Sequence, residues 1–179
     1  MAPELEPGPL SDLPRLQAHL RTDARLGVSD LLTGNDDRSP RERVQHQIDH
    51  DAAVQWLGIE FLEVTETGVT VRMPVRDEMR NGFGIVHGGF PYLLADTAFA
   101  FSGTASGTPM VTHQSNTTYT APARGEFLEA TSSIQHRYGR NVICEVTVRD
   151  EDGTVVAYLS MHGVISKKVA STDNSKLAK

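Results

Sequence analysis

The stretch that decides the fold is residues 89–106, GFPYLLADTAFAFSGTAS. Its apolar content predicts one long α-helix, and Pro91 falls in the first turn, where a missing N–H costs little. Apolar side chains take up every side of the helical wheel, a pattern that is typical of a helix buried all round. We therefore predict a central buried helix from Gly89 to about Ser106, interrupted by a single charge at Asp96.

Alternating apolar and polar residues flank this helix on both sides. They predict two strands before it and four after it, at residues 59–64, 69–75, 110–121, 126–138, 141–149 and 154–165. In the fifth strand every second residue is small or apolar, the pattern of a half-buried antiparallel strand (Val142, Cys144, Val146 and Val148). Two strands, a helix and four strands predict an α+β fold, in which an antiparallel sheet wraps around a central helix.

The two ends of the chain differ from this central part. Residues 1–52 are expected to form a helical extension, and Ser39-Pro40 is expected to start its second helix, running from Arg41 to about Trp56. The sequence leaves open whether this extension is a cap on the main domain or an arm. The main domain is expected at residues 53–168, followed by a flexible tail at 169–179.

Composition restricts the function further. The chain has 17 basic and 23 acidic residues, a net charge of −6, so we expect neither a nucleic acid nor an anionic membrane as partner. The first ten residues, MAPELEPGPL, lack the basic and apolar regions of a secretory signal, which favours the cytoplasm. The single cysteine, Cys144, excludes an intrachain disulfide.

Asp96 is the most informative residue, because it lies in the middle of an otherwise apolar helix. An isolated buried carboxylate is costly, and its pKa rises unless donors or cations compensate. One interpretation is a structural carboxylate, bonded to backbone amides or to an arginine on a neighbouring strand. The interpretation that we favour is a catalytic acid or base.

The helix is preceded by residues 81–89, NGFGIVHGG, of which four are glycine. This loop leads into a helix N-terminus, where unpaired N–H groups and the helix dipole favour developing negative charge. In an acyl-transfer reaction it would be an oxyanion site, and the Gly88 amide is the best-placed donor. The alternative is a plain glycine turn at the start of a helix.

Loop and helix together resemble the signature of hotdog-fold acyl-CoA thioesterases, in particular the PaaI-like branch linked to phenylacetate degradation. The resemblance is carried by residues 81–100, NGFGIVHGGFPYLLADTAFA, and 116–123, NTTYTAPA, and covers roughly residues 57–166. It implies hotdog subunits that pair into homodimers, often as dimers of dimers. It also implies hydrolysis of an acyl-CoA, either arylacetyl or medium- to long-chain, to a free acid and coenzyme A.

The resemblance assigns a catalytic role to five residues. Asp96 would be the nucleophile or general base, and the Gly88 amide would be the oxyanion donor. Asn81 would help to place the water or the thioester, and His87 would shape the turn. The Thr112 hydroxyl falls where this branch often has a water-positioning serine or threonine.

Substrate binding is assigned to four further residues. Gly89 and Thr97 belong to the matching signature, and Arg137 and Arg140 are placed to meet the phosphates of coenzyme A, as arginines readily do. The resemblance implies no cofactor and no metal, because coenzyme A enters only as part of the substrate.

Helix geometry adds one constraint. Gly88 and Asp96 are eight residues apart, which is about 12 Å of rise along one helix. The reacting atoms of a thioester need contacts of about 3 Å, so one helix cannot present both groups to one carbonyl. If both act, they come from two subunits.

Three alternatives stay open at this stage. A non-catalytic acyl-CoA sensor has no need of a buried acid, and a hotdog dehydratase or hydratase would use His87 as its histidine. His46 and His50 with Asp49 have a spacing that suits a metal, but a solvated helix face is favoured because no third ligand is evident.

Overall fold

The computed structural model describes residues 37–165. Its helices are α1 (Pro40–Asp49), α2 (Ala52–Leu57) and α3 (Gly89–Ala105), with a 3-10 turn at Asp77–Met79. Its strands are β1 (Glu60–Val64), β2 (Gly68–Pro74), β3 (Met110–Tyr119), β4 (Phe127–Tyr138), β5 (Asn141–Asp150) and β6 (Val155–Ile165). The helical pattern predicted in the first 36 residues and the predicted tail lie outside the described residues.

The six strands form one antiparallel sheet in the order β1-β2-β4-β5-β6-β3, and α3 packs across one face of it. Gly163 on β6 allows this close packing, since a Cβ there would lie 2.6 Å from the Phe99 ring of α3. The order leaves β1 and β3 at the two edges of the sheet. The α+β hotdog fold is confirmed, and each predicted strand is present with bounds that differ by at most two residues.

The core lies between α3 and the sheet. It is built from the residues that alternation predicted to face inward, which the structure buries almost completely (Val69, Val71, Met73, Val142, Cys144, Val146 and Val148), together with Leu94, Phe99 and Phe101 of α3. Burial raises the pKa of the Cys144 thiol from 9.0 to about 12, because the thiolate would lose its hydration. Cys144 is therefore an inert core residue in the folded chain.

The predicted helix from Arg41 to Trp56 is wrong in one respect, since two helices occupy this segment. Ser39 caps α1 in a reciprocal pair with Glu42, as the Ser39-Pro40 signal indicated. The chain then turns at His50, and the Asp51 carboxylate accepts from the amides of Ala53 and Val54 to start α2. Asp51, inside the segment predicted as one helix, thus acts as the N-cap of α2.

Helix α1 packs against the carboxyl end of α3. The Arg43 guanidinium donates to the carbonyl oxygens of Thr104 at 3.2 Å and Ala105 at 2.6 Å, and Val44 is fully buried. These carbonyls belong to the last turn of α3, and that of Thr104 also accepts from the Gly107 amide at 3.0 Å. Residues 40–49 are therefore a cap on the main domain, which is one of the two arrangements that the sequence left open.

Helix α3 is not buried all round, which corrects the prediction from the helical wheel. One stripe along it is half-buried or exposed in the single chain, at Gly89, Leu93, Asp96, Thr97 and Ala100. These residues face away from the sheet, whereas Leu94, Ala98 and Phe101 face into it. Among the residues described, no helix is long and apolar enough to cross a membrane.

Candidate active site

Asp96 lies on the open stripe of α3, half-buried, where it meets the first residues of β3. The Thr112 hydroxyl donates to Asp96 Oδ1 at 2.6 Å. A short bond from a hydroxyl to a carboxylate orients the acid. The structure thus brings together two of the predicted catalytic residues, which are 16 positions apart.

Gly88 lies at the other end of the stripe, as the N-cap residue of α3, with φ −55° and ψ −20°. The next amides are committed: that of Gly89 donates to His87 Nδ1 at 3.4 Å, and that of Phe90 donates to the His87 carbonyl at 2.9 Å. Within residues 37–165, the Gly88 amide has no acceptor. It is therefore a free donor at the positive end of the helix dipole.

The loop before the helix supports this turn. His87 is exposed, and its Nδ1 accepts from the Gly89 amide at 3.4 Å. Asn81 is half-buried, and its Oδ1 accepts from the Phe83 amide at 2.9 Å. This bond fixes the Asn81 side chain and leaves its NH₂ group as a donor toward the neighbouring pocket.

Tyr119 is a residue of this site that the sequence argument did not single out. It ends β3, and its hydroxyl donates to the Gly88 carbonyl at 2.7 Å. Its ring is also close, since a Cβ on Gly88 would lie 3.4 Å from Tyr119 Cζ. Tyr119 lies within the 116–123 motif, but nothing in the sequence indicated that it reaches a glycine 31 positions away.

A pocket of about 400 Å³ opens at this end of α3. Its wall is mainly apolar, with polar groups from the loop and the end of β3; it is lined by Asn81, Ile85, Val86, Gly88, Pro91, Tyr119, Thr120, Ala121, Pro122, Ala123 and Val156. Its volume lies in the usual range for small-molecule sites. Asp96 and Thr112 do not line it, so one chain separates the free amide from the acid.

The predicted substrate-binding residues lie in three places. Gly89 is exposed at the start of α3, and Thr97 is on the open stripe, although its hydroxyl donates to the Leu93 carbonyl at 3.0 Å. Arg137 and Arg140 are exposed at the β4–β5 turn, and Arg137 reaches the Thr108 hydroxyl at 3.4 Å beyond the carboxyl end of α3. The two arginines are thus remote from the pocket at Gly88.

The histidine pair of α1 makes contacts of its own. The rings of His46 and His50 stack with centroids 4.5 Å apart, and His50 Nδ1 lies 2.8 Å from the His46 carbonyl oxygen. In the part of the chain that the structure describes, no three His, Cys, Asp or Glu side chains are grouped so that they could hold a metal ion.

The sequence of this chain is similar to those of known thioesterases. A family model described as the thioesterase superfamily matches residues 83–157, which include the loop at Gly88, the whole of α3 and Tyr119. The acyl-coenzyme A thioesterase PaaI of Escherichia coli K12 is 29% identical over 110 residues, which are 61% of this chain and 79% of that protein. The chain is thus similar to PaaI-like hotdog proteins of the thioesterase superfamily. These similarities confirm the predicted class of enzyme, a thioester hydrolase.

Solved structures agree on the fold of this PaaI-like protein. The structure of E. coli PaaI matches with a TM-score of 0.68 at 24% identity, over 71% of this chain and 93% of that one. The smu.793 protein of Streptococcus mutans UA159, whose structure holds acetyl-CoA, matches with a TM-score of 0.58 at 22% identity, over 60% of this chain and 88% of that one. At these identities the likeness establishes the hotdog fold.

Proposed function

We propose that this PaaI-like chain hydrolyses acyl-CoA thioesters to a free acid and coenzyme A. Asp96 acts as nucleophile or general base, and the Gly88 amide of a second copy stabilises the oxyanion. The similarity to an acyl-CoA thioesterase and to a hotdog protein that holds acetyl-CoA supports the class of substrate. The free Gly88 amide carries the proposal, because it lies beside a pocket of suitable size.

The open stripe of α3 supports a site shared between two copies. Gly88 and Asp96 are about 12 Å apart along one helix, whereas both must come within about 3 Å of one thioester group. The stripe between them carries Leu93, which is 37% exposed in the single chain. A second copy that covers this stripe would desolvate Asp96 and bring in the missing amide.

Strand β3 supplies the edge for that second copy. It is ten residues long, pairs on one side with β6, and exposes Val111 to 53%. A long edge strand presents a row of unpaired backbone N–H and C=O groups, which is a ready template for strand pairing. We therefore expect two copies to join their β3 strands antiparallel around a two-fold axis, which makes one continuous sheet.

The contacts at the two ends of β3 agree with this pairing. Near its start Thr112 holds Asp96, and at its end Tyr119 holds Gly88. Because β3 has a bulge between Thr112 and Gln114, Thr112 and Tyr119 each lie three paired positions from Asn116, counted along β6. If the two-fold axis passes at Asn116, Thr112 lies opposite the partner's Tyr119. Asp96 then lies next to the partner subunit's Gly88, and each dimer has two identical sites.

At each site, Asp96 is oriented by a residue of its own chain. Thr112 binds Oδ1 of Asp96, so Oδ2 is free to attack the thioester carbon or to take a proton from water. The oxyanion that forms is met by the amide of the partner's Gly88, which costs no reorganisation because that amide has no acceptor in the described residues. Collapse of this intermediate breaks the C–S bond, and coenzyme A leaves as the thiolate and takes a proton from water. Single-turnover hydrolysis in ¹⁸O-labelled water separates the nucleophilic route from the general-base route. Label enters the Asp96 carboxylate only if an acyl-enzyme forms there and water attacks the Asp96 carbonyl.

Coenzyme A reaches from this site toward Arg137, outside the part of the sheet that Phe99 of α3 covers at Gly163. Thr112, Gly163, Val142 and Arg137 form one row across β3, β6, β5 and β4. Three strand spacings place Arg137 about 14 Å from Thr112. This separation suits the pantetheine arm between a thioester and its phosphates, and the exposed guanidinium groups of Arg137 and Arg140 suit those phosphates.

The acyl group enters the pocket of about 400 Å³ beside Gly88, whose wall is largely apolar. An arylacetyl group and a medium- or long-chain acyl group are both apolar, so either can pack against such a wall. The similarity to PaaI favours the arylacetyl group.

One screen tests the proposal. Thiol release is followed for arylacetyl-, benzoyl- and short- to long-chain acyl-CoAs, with the wild-type chain, Asp96→Asn and Asp152→Asn. Asp152 is a matched control, since it is an exposed aspartate in the β5–β6 turn. We expect hydrolysis by the wild type and by Asp152→Asn, and a loss of at least about 10³-fold in Asp96→Asn. Binding of acyl-CoA without hydrolysis by the wild type would contradict the proposal and indicate a sensor.

A further inference from the structure

We propose that Tyr119 is a positioning residue that holds the oxyanion turn through its hydroxyl. This inference rests on the proposed function, because it assigns a task within the same site. It concerns a bond between the end of β3 and the backbone of the turn, from the Tyr119 hydroxyl to the Gly88 carbonyl.

The turn needs to be held from outside. Gly88 and Gly89 are adjacent, and neither has a side chain to restrict its backbone. The helical bond that the Gly88 carbonyl accepts from the Tyr92 amide is long, at 3.4 Å, whereas the Tyr119 bond is 2.7 Å. The Tyr119 hydroxyl is therefore the stronger of the two contacts on this carbonyl.

Packing acts in the same direction. A Cβ built on Gly88 would lie 3.4 to 3.6 Å from three atoms of the Tyr119 side chain, so the end of this side chain packs against the side of Gly88 that a Cβ would occupy. On the other side, His87 Nδ1 holds the Gly89 amide. Tyr119 and His87 thus both contact the turn. Its Gly88 N–H is left as a donor beside the pocket.

Tyr119 also links this turn to the second copy. It ends β3, and the pairing proposed above puts the partner subunit's Thr112 opposite it. The same residue therefore sets the position of its own Gly88 relative to the partner subunit's Asp96. Since an error of about 1 Å in such a placement costs up to about 10²-fold in rate, the hydroxyl affects kcat and has little effect on ground-state binding.

Tyr119→Phe tests this role, because it removes the hydroxyl and keeps the ring on Gly88. The control is Tyr158→Phe, the same change on the outer face of β6, where Tyr158 is 49% exposed against 52% for Tyr119. We expect kcat to fall about 10-fold in Tyr119→Phe, with KM within about twofold and the dimer intact. The control is expected to keep both kinetic constants. Equal kcat in the two variants, with a wild type that is active, would overturn the inference and leave the proposed function in place.

A double-mutant cycle keeps the test decisive if Tyr119→Phe alters the fold more widely. If Tyr119 acts through the Gly88 amide, its hydroxyl matters only while that amide is present. We expect Tyr119→Phe to cost about 10-fold in a Gly88→Ala background and less than about twofold in a Gly88→Pro background, which has no amide. The same loss in both backgrounds would overturn the inference. A wild-type chain that hydrolyses no acyl-CoA would overturn both the inference and the proposed function.

Discussion

Replacing Gly88 by proline removes the proposed oxyanion donor with little other change. The backbone there has φ −55° and ψ −20°, and proline requires a φ of about −65° ± 15°, so the substitution fits the observed conformation. The Gly88 amide has no acceptor in the described part of the chain, so no structural hydrogen bond is lost. Proline is also well tolerated at the start of a helix.

The expected cost follows from the chemistry of a single donor. Losing one oxyanion-hole hydrogen bond lowers kcat by about 10² to 10³, or about 2.7–4 kcal/mol of transition-state stabilisation. Gly88→Ala is the matched comparison, because it keeps the amide and adds a Cβ 3.4 Å from Tyr119 Cζ, an ordinary contact. We expect that variant to lose less than about 10-fold.

The assay is steady-state thiol release with the acyl-CoA that the screen identifies, on variants shown by thermal unfolding to be folded and by scattering to be dimeric. The account requires kcat of Gly88→Pro to lie at least about 10-fold below that of Gly88→Ala, with a smaller change in KM. Equal kcat values in two folded variants would refute the assignment of the Gly88 amide as oxyanion donor.

Three further outcomes are expected. Thr112→Val removes the bond to Asp96 Oδ1, so its kcat should fall about 10-fold, whereas Thr112→Ser should keep most of the wild-type kcat. Equal kcat in the Val and Ser variants would argue against an oriented acid. Because burial raises the pKa of the Cys144 thiol from 9.0 to about 12, the unfolded chain gives up that proton first, so the free energy of unfolding should fall as the pH rises from about 9 toward 12, by at most ~1.4 kcal/mol per pH unit. Urea unfolding over this range should show a shallower fall for Cys144→Ala, and parallel slopes would count against a buried thiol. Arg43→Ala leaves the last carbonyls of α3 without their guanidinium and should lower the free energy of unfolding by about 1–3 kcal/mol; no change in urea unfolding would show that the cap is not stabilising.

The sheet could be predicted from the sequence almost completely, because its determinants are local. Alternation marks each strand, as at 141–149, and positive-φ glycines end several of them, as Gly139 and Gly153 do around β5. The same holds for the start of α1, where Ser39, Pro40 and Glu42 form a capping signal within four residues. These features depend on neighbours in the chain and need no tertiary contact.

The site could be predicted only in part, because its geometry depends on contacts between distant residues. Asp96 was identified from its apolar surroundings and Gly88 from its place before a helix. The bonds from Thr112 to Asp96 and from Tyr119 to Gly88 span 16 and 31 positions, and no local pattern encodes them. The wheel of α3 predicted a fully buried helix because the open stripe also carries apolar residues, such as Leu93 and Ala100, and a wheel does not show which side faces the sheet.

The most direct measurement of a site shared between copies is subunit complementation. Asp96→Asn and Gly88→Pro chains are unfolded together in equal amounts, refolded and assayed, beside each variant refolded alone. Half of the random dimers are mixed, and in each of these one site has the Asp96 of one chain and the Gly88 of the other, so about a quarter of all sites are intact. The account expects about 25% of wild-type activity from the mixture. No gain over the two separate variants, in a sample shown by mass spectrometry to contain mixed dimers, would contradict it.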